Sequence, residues 1–203
     1  MKIVVEGMDG VGKTTLAKRL AKELNYKYVD GLLISFFKDL GYSDEKISEL
    51  KKAIYEFAEI DNSIIRTWFF GMANIFNLLN YDEDLIIDRH CLTTYYWNAD
   101  EKSEKIYKFM QEISGKPDFI LILVASPERR VERLEQRDLN DPDLLDAKKR
   151  AYGYNKFIQG AKDLNLDYCI IDTEGRNADE VFKIALEKVQ NFISNKLKGE
   201  ANE

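Results

Sequence analysis

The chain has 203 residues, of which 45% are hydrophobic and 33% are charged, so its composition is that of a globular protein and excludes a disordered chain. A domain has about 100–200 residues, and the sequence therefore predicts a single domain over residues 1–203. Acidic residues outnumber Lys and Arg by 36 to 30, and this net charge of −6 argues against a polymeric nucleic-acid partner.

A zinc site is also excluded, because the chain has one histidine, His90, and two cysteines without metal-ligand spacing, Cys91 and Cys169. The amino-terminal residues lack the long apolar stretch of a secretory signal. The strongest apolar run, Phe119–Ala125, is too short to span a bilayer. The sequence thus predicts a cytoplasmic protein with no membrane partner.

Short aliphatic runs predict strands that are buried on both faces, and amphipathic patterns between them predict helices. In chain order the predicted elements are strand Ile3–Glu6, helix Thr14–Asn25, a weaker strand Tyr26–Val29, helices Asp44–Glu59 and Ser63–Leu79, strands Leu85–Asp88, Phe119–Val124 and Tyr168–Asp172, and helix Ala178–Leu197 with a frayed tail at residues 198–203. This alternation predicts a three-layer α/β/α fold around a parallel five-stranded sheet.

A phosphate-binding loop lies between the first strand and the first helix. Its sequence is Gly7-Met8-Asp9-Gly10-Val11-Gly12-Lys13-Thr14, which fits GxxxxGK[ST] at every fixed position. The glycines let backbone N–H groups converge on phosphate oxygens at the positive end of the helix. Lys13 can reach the β- and γ-phosphates of ATP, and the Thr14 hydroxyl can ligate Mg²⁺. The candidate ATP-binding residues are Gly7, Asp9, Gly10, Val11, Gly12, Lys13, Thr14 and Thr15.

A guanine-nucleotide switch also carries such a loop, but the other sequence elements of that class are missing. The segment nearest to its base-binding NKxD element is Asn195–Lys198, which lacks the acid and lies at the end of the chain. The segment Asp172–Gly175 imitates DxxG but follows the last predicted strand, which is the wrong order. The loop therefore predicts a P-loop NTPase fold with a different activity.

An acid and a base stand side by side at the carboxyl end of the third predicted strand, Asp88 and Arg89. In open α/β sheets this end faces the crevice where ligands bind. Asp88 can hold Mg²⁺ through water, and Arg89 can clamp an acceptor phosphate or the transferring group. The competing interpretation is an Asp that caps a helix and an Arg on the surface.

These residues resemble the thymidylate kinases. The segment Val4–Thr15 is similar to the opening of that family, and Asp88-Arg89 with Thr93, Thr94 and Tyr95 is similar to its later acceptor segment. Deoxynucleoside kinases share the layout. The resemblance implies ATP·Mg²⁺ as donor, a deoxynucleoside monophosphate as small-molecule acceptor, contact of Asp9 with the acceptor sugar, and a homodimer.

The chain departs from the thymidylate kinase pattern after the second predicted strand. Residues 29–33 stand where that family carries Arg-Glu-Pro, so an expected phosphate-binding Arg is absent. Asp30 lies instead near where deoxynucleoside kinases place a carboxylate that takes the proton from a sugar hydroxyl. Asp30 could equally form a turn before Gly31.

The helix Ser63–Leu79 corresponds to the element that supplies a base-stacking aromatic and an Arg in these kinases. Trp68, Phe69 and Phe70 point in three directions around it, and we predict that Phe69 and Phe70 approach the acceptor with Arg66. Tyr95, Tyr96 and Trp97 could close the opposite wall. The competing interpretation for each aromatic is packing in the core.

An arginine-rich segment follows the strand Phe119–Val124. Arg129, Arg133 and Arg137 recur every four residues and share a helical face, which is compatible with a solvated helix of Glu–Arg pairs. The named kinase families carry an arginine-rich lid here. The resemblance predicts a helical lid at about residues 129–145, in which Arg133 and Arg137 neutralise the transferring phosphoryl group.

The sequence therefore predicts a nucleotide kinase whose catalytic residues are Lys13, Arg89, Arg133 and Arg137, with Thr14 and Asp88 at the metal. A deoxynucleoside kinase that uses Asp30 is the alternative. A regulatory module that binds a nucleotide without transfer is a third hypothesis, which the pairing of an arginine lid with an aromatic acceptor helix disfavours.

Overall fold

Five parallel strands form one sheet in the order β2-β3-β1-β4-β5 in the computed structural model, which describes residues 1–31, 33–139, 143–144, 147 and 153–200. The strands are β1 Lys2–Gly7, β2 Lys27–Val29, β3 Leu85–Asp88, β4 Phe119–Val124 and β5 Tyr168–Asp172. The predicted parallel five-stranded sheet is confirmed, and the bounds of β3, β4 and β5 agree with the sequence prediction.

Nine helices lie within the described residues. They are α1 Lys13–Leu24, α2 Leu33–Asp39, α3 Asp44–Ala58, α4 Ser63–Leu79, α5 Cys91–Asn98, α6 Glu104–Ser114, α7 Pro127–Arg137, α8 Tyr154–Asp163 and α9 Ala178–Glu200. The last helix continues through Glu200, three residues beyond its predicted end at Leu197. Residues 201–203, and residues 140–142 and 145 of the predicted lid, lie outside the described part.

Helices cover both faces of the sheet, as the continuous aliphatic strands require. The helices α1 and α9 pack together against the sheet, and α5 and α8 pack together against it as the second helical layer. The strand residues between the layers are fully buried, as at Val4, Ile86 and Leu121. Since side chains alternate between the two faces of a strand, two covered faces call for apolar residues at successive positions.

The strand order brings the carboxyl ends of β2, β3 and β1 side by side. Val29 pairs with Ile87 and Val5 pairs with Asp88, so the residues that follow these strands meet at one edge of the sheet. The same edge receives the loop between β1 and α1. Crevices at this edge are where open α/β sheets bind ligands.

Two smaller apolar clusters flank the main core. Leu33, Phe70 and Ala73 join α2 to α4, and Leu134 packs with Leu144 and Ala147 next to α7. Within the described part of the chain, none of the helices combines the length and the apolar character that crossing a membrane demands.

Candidate active site

The phosphate-binding loop connects β1 directly to α1. Gly10 has a φ of +83°, and a Cβ there would lie 2.6 Å from the carbonyl oxygen of Arg130 on α7. Only glycine fits both that conformation and that close approach. Gly12 caps α1 with a φ of +93° and no side-chain hydrogen bond, so its first-turn N–H groups are not capped by a side chain. Such a helix end favours an anion.

Lys13 is buried behind this loop, with 4% of its surface exposed. Its Nζ donates to the carbonyl oxygen of Met8 at 2.7 Å and lies 3.7 Å from the Asp9 carboxylate. Burial and the nearby Arg89 lower the pKa of Lys13 to about 8, although its acidic neighbours act in the opposite direction. The ammonium is thus held next to the loop at a desolvation cost that an anionic ligand would offset.

Asp9 and Arg89 join the loop to the end of β3. The Arg89 guanidinium donates to the Asp9 carboxylate, which Lys13 also approaches. Burial alone would raise the pKa of Asp9, but Lys13 and Arg89 hold it well below its usual range. Asp9 is therefore ionised, and its carboxylate holds the Arg89 guanidinium against the loop.

The residues predicted to hold a metal also meet. The Thr14 hydroxyl donates to Asp88 Oδ2 at 2.5 Å, while the buried Asp88 Oδ1 has no hydrogen-bond partner among the described residues. No group of three His, Cys, Asp or Glu side chains in the described part of the chain could form an all-protein metal site. Mg²⁺ in phosphate sites takes one or two protein oxygens and the substrate's own phosphates, so Thr14 and Asp88 fit this ion.

A cavity of about 980 Å³ opens at this edge of the sheet. Seven of the predicted site residues line this cavity. Asp9 comes from the loop and Thr14 from α1, and the other five are Asp30, Arg66, Phe70, Asp88 and Arg89. The cavity extends from the phosphate-binding loop to α4 and α5, which gives it room for a second ligand beside the donor.

Phe69 and Tyr95, which we predicted to approach the acceptor, lie outside the cavity lining. Phe69 stacks on Phe57 with ring centroids 3.8 Å apart, and the Tyr95 hydroxyl donates to Asp163 at 2.7 Å. A helix turns by about 100° per residue, so Phe70 faces the cavity while its neighbour faces α3. Both residues thus pack against other side chains, and their predicted contact with the acceptor stays a prediction.

Two hydrogen bonds hold Arg66 in the lining of the cavity. Its Nε donates to Asn98 Oδ1 at 3.2 Å, and its Nη1 donates to the carbonyl oxygen of Ile60. Asn98 and Trp97 line the same cavity from α5. We did not predict Asn98, because a single Asn in a helix gives no signal in the sequence.

Asp30 forms a turn and also lines the cavity. Its Oδ1 accepts the N–H of Gly31 at 3.1 Å, as a turn-forming Asp does, and its Oδ2 lies 3.2 Å from Lys38 Nζ. It also lines the cavity beside Asp88. The turn interpretation therefore does not exclude a functional one.

The arginines of α7 divide between two places. Arg133 donates to the hydroxyl and the carbonyl oxygen of Thr173 at 2.9 and 2.8 Å, which ties α7 to the loop after β5. Arg137 is exposed and pairs with Asp143 at 3.2 Å. Arg130 was not among our site residues, yet it is 1% exposed and its Nε donates to the Asp9 carbonyl oxygen at 2.8 Å. Its spacing of four residues from the buried Leu134 is the signal that could have found it.

A sequence model of the thymidylate kinase family matches residues 5–183. The chain belongs to the thymidylate kinase family. This family member is 29% identical over 146 residues to a probable thymidylate kinase of Archaeoglobus fulgidus, covering 70% of this chain and 73% of that one. It is 28% identical over 203 residues to a cytidylate kinase of Sulfurisphaera tokodaii, covering 95% and 97%.

Solved structures agree with the fold of this thymidylate kinase family member. The deoxyadenosine kinase of M. mycoides superposes with a TM-score of 0.61 at 15% identity, covering 94% of this chain and 100% of that chain. A likeness at that identity shows the P-loop kinase fold alone. The family assignment makes the chain a nucleotide kinase, a phosphotransferase that acts on small nucleotide substrates.

His90, next to the catalytic candidates, gives this kinase a testable pH dependence. It is 2% exposed, and its Nε2 lies 3.0 Å from the Asn74 carbonyl oxygen. Burial lowers the pKa of His90 to about 4, and the hydrogen bond with Asn74 acts in the opposite direction. An unfolded histidine titrates near pH 6.5, so unfolding takes up a proton below that pH and stability falls as the pH falls.

As the pH is lowered from about 6.5 to about 5, the free energy of unfolding of the wild-type protein should fall. We expect this fall to be up to about 2 kcal/mol larger than in His90→Gln. Urea unfolding at several pH values measures this difference. Glu6, whose pKa burial raises, contributes the opposite slope in both proteins and cancels. Equal pH slopes in the two proteins would contradict a neutral buried His90.

Proposed function

We propose that this kinase transfers the γ-phosphoryl group of ATP to the phosphate of a deoxynucleoside monophosphate. The observation that carries the proposal is the Asp9–Arg89 ion pair, because it joins the donor loop to the wall of the large cavity. Two phosphate-bearing ligands can meet there, one on the loop and one in the cavity. A cation between them suits the charge that spreads over the transferring group.

The donor side rests on the loop amides from Gly7 to Thr15 and on Lys13. In the proposed complex the Lys13 ammonium exchanges its bond with the Met8 carbonyl for the β- and γ-phosphates. Thr14 and Asp88 would hold Mg²⁺, which when bound neutralises phosphate charge. The protein's part in the reaction is then positioning and electrostatic stabilisation.

On the acceptor side, an oxygen of the monophosphate attacks the γ-phosphorus while the bond between that phosphorus and the β–γ bridging oxygen breaks, which releases ADP. Arg89 stabilises the equatorial oxygens during transfer. Asp9 orients the acceptor sugar, Arg66 offers a fixed donor at the distal end, and Phe70 offers an apolar face to the base. An ionised phosphate acceptor needs no general base.

The lid arginines have different proposed roles. Arg137 is exposed on the last turn of α7, so it can leave Asp143 and reach the transferring group when the lid closes. Arg133 is anchored to Thr173 and acts from the donor side, between the loop and the segment after β5. From the resemblance to the kinase families we expect the adenine of ATP to lie near that segment.

The test of the proposed function is ADP release with each common deoxynucleoside and deoxynucleoside monophosphate as acceptor. Turnover with monophosphates alone supports the proposal, and the preferred base is read from the same panel. Relatives named thymidylate kinase and cytidylate kinase both make pyrimidine monophosphates the first acceptors to assay. ATP binding without any acceptor-dependent turnover would overturn the proposal in favour of the non-catalytic module.

Homodimerisation and cytoplasmic location remain predictions from the sequence. Light scattering tests the first and cell fractionation tests the second.

The second candidate is phosphorylation of a nucleoside hydroxyl, which the position of Asp30 in the cavity favours. We expect Asp30→Asn to keep monophosphate turnover within about threefold, whereas a hydroxyl acceptor would lose about 10²–10⁴-fold without its general base. Steady-state assays with both acceptor classes measure this. Asp82→Asn, at an exposed loop residue outside the cavity lining, is the matched control. Nucleoside turnover that disappears in Asp30→Asn would establish the second candidate.

A further inference from the structure

A carboxylate that the proposed reaction does not use lies buried beside the phosphate-binding loop. Glu6 is the residue before Gly7 at the end of β1, and it is 0% exposed. Burying a carboxylate is unfavourable unless it is well hydrogen-bonded. The three residues before it on β1 are aliphatic, so the strand itself does not explain why an acid stands there.

Glu6 is fully satisfied by one partner segment, the start of α5. Its Oε1 accepts the N–H groups of His90, Leu92 and Thr93 at 2.8, 3.0 and 3.1 Å. Its Oε2 accepts the Thr93 hydroxyl at 2.5 Å. The helix has no side-chain cap of its own at His90, so Glu6 caps α5 from a different strand.

These bonds fix the backbone on both sides of Arg89. The Arg89 N–H donates to the Val5 carbonyl oxygen at 3.0 Å, and the next N–H, that of His90, donates to Glu6. Arg89 itself has a φ of +72°, a conformation that residues other than glycine rarely adopt. An unfavourable backbone persists only where its surroundings hold it. Two successive residues of β1 thus determine where the Arg89 side chain leaves the backbone.

We propose that Glu6 is a positioning residue, which clamps the first turn of α5 to β1 and thereby holds the Arg89 guanidinium between the phosphate-binding loop and the cavity. The inference rests on the proposed function, in which Arg89 stabilises the transferring group. Asp9 in the loop and Arg89 after β3 are 80 residues apart in sequence. The clamp by Glu6 explains how these two segments keep a fixed position relative to each other. A displacement of about 1 Å in such a group can cost about 100-fold in rate.

The test is a double-mutant cycle of Glu6 with Arg89. Glu6→Asp keeps the charge but shortens the reach, and we expect kcat to fall about 10- to 100-fold in the wild-type background. Glu6→Gln keeps the reach, and we expect a smaller loss of about 3- to 10-fold. In the Arg89→Ala background each change should cost less than about threefold, because Glu6 acts through Arg89. The Kd for ATP should stay within about twofold, since the loop amides are retained.

The controls separate positioning from a loss of stability. Val189→Ala removes buried methyl groups on α9, away from the cavity, and serves as a variant with reduced thermal stability and intact kcat. Equal losses from the Glu6 changes in both backgrounds, no loss from Glu6→Gln, or a weakened Kd for ATP with unchanged kcat would each overturn the inference. If Glu6→Asp does not fold, the cycle with Glu6→Gln decides alone. Failure of Arg89→Ala itself to lower kcat would instead refute the proposed role of Arg89.

Discussion

Lys13→Ala is expected to lower kcat/KM for ATP by about 10²–10³-fold, the usual cost of removing one preorganised charged donor from a transferring oxyanion. The ammonium is already buried beside the loop, so only its hydrogen bond with the Met8 carbonyl has to be exchanged when the phosphates arrive. We expect both kcat and the affinity for ATP to fall, because the same group contacts the donor before and during transfer. Steady-state kinetics with varied ATP measure both.

Stability should respond differently from activity in this variant. The pKa of Lys13 is lowered to about 8 chiefly by burial, so at neutral pH the folded protein carries a cation at a desolvation cost that the unfolded chain does not have. Removing it should therefore not lower the thermal midpoint. Lys22→Ala, at an exposed position on the same helix, is the control and should change neither property. Retained turnover in Lys13→Ala would remove the basis for assigning the donor site.

The parts of the site that could be predicted are those in which consecutive residues determine the geometry. The phosphate-binding loop needs glycines, Lys13 and Thr14 at fixed spacing, and a continuous sequence motif states all of these. The central strands are buried on both faces, so their aliphatic runs gave correct bounds for β3, β4 and β5. Asp88 and Arg89 followed from the end of such a strand.

The remaining features of the site could not be predicted, because they depend on which face of a helix packs against which neighbouring element. Phe70 and Phe69 differ by one residue, and only the packing of α4 on α3 decides that Phe70 lines the cavity. The contact of Arg133 with Thr173 joins α7 to the loop after β5 and could not be predicted from the sequence, and the role of Arg133 in transfer stays a prediction. Glu6 was read only as part of a strand, because its partners lie 84 to 87 residues away. Contacts of that range leave no local pattern in the sequence.

Arg89→Ala is expected to lower kcat for monophosphate acceptors by about 10²–10³-fold or more, because the guanidinium stands where the two phosphate ligands would meet. Arg89→Lys should recover part of this loss, since it restores the charge but not the bidentate geometry. Arg19→Ala is the matched control, because Arg19 pairs with Asp179 outside the cavity lining. All four proteins are assayed well below their thermal midpoints.

The stability of Arg89→Ala sets the condition for this comparison. Asp9 has a depressed pKa in the folded protein, so its ion pairs stabilise the fold above the pKa of an unfolded Asp, near 4, and this contribution is lost as the pH falls below it. Removing Arg89 takes away one partner and should lower the thermal midpoint at neutral pH.

The division of the loss between kcat and the acceptor KM then assigns the role of Arg89. A fall in kcat means that Arg89 stabilises the transition state more strongly than the bound substrates. A rise in the acceptor KM alone would make Arg89 a binding residue and would leave the stabilisation of the transferring group to Arg137 and Lys13.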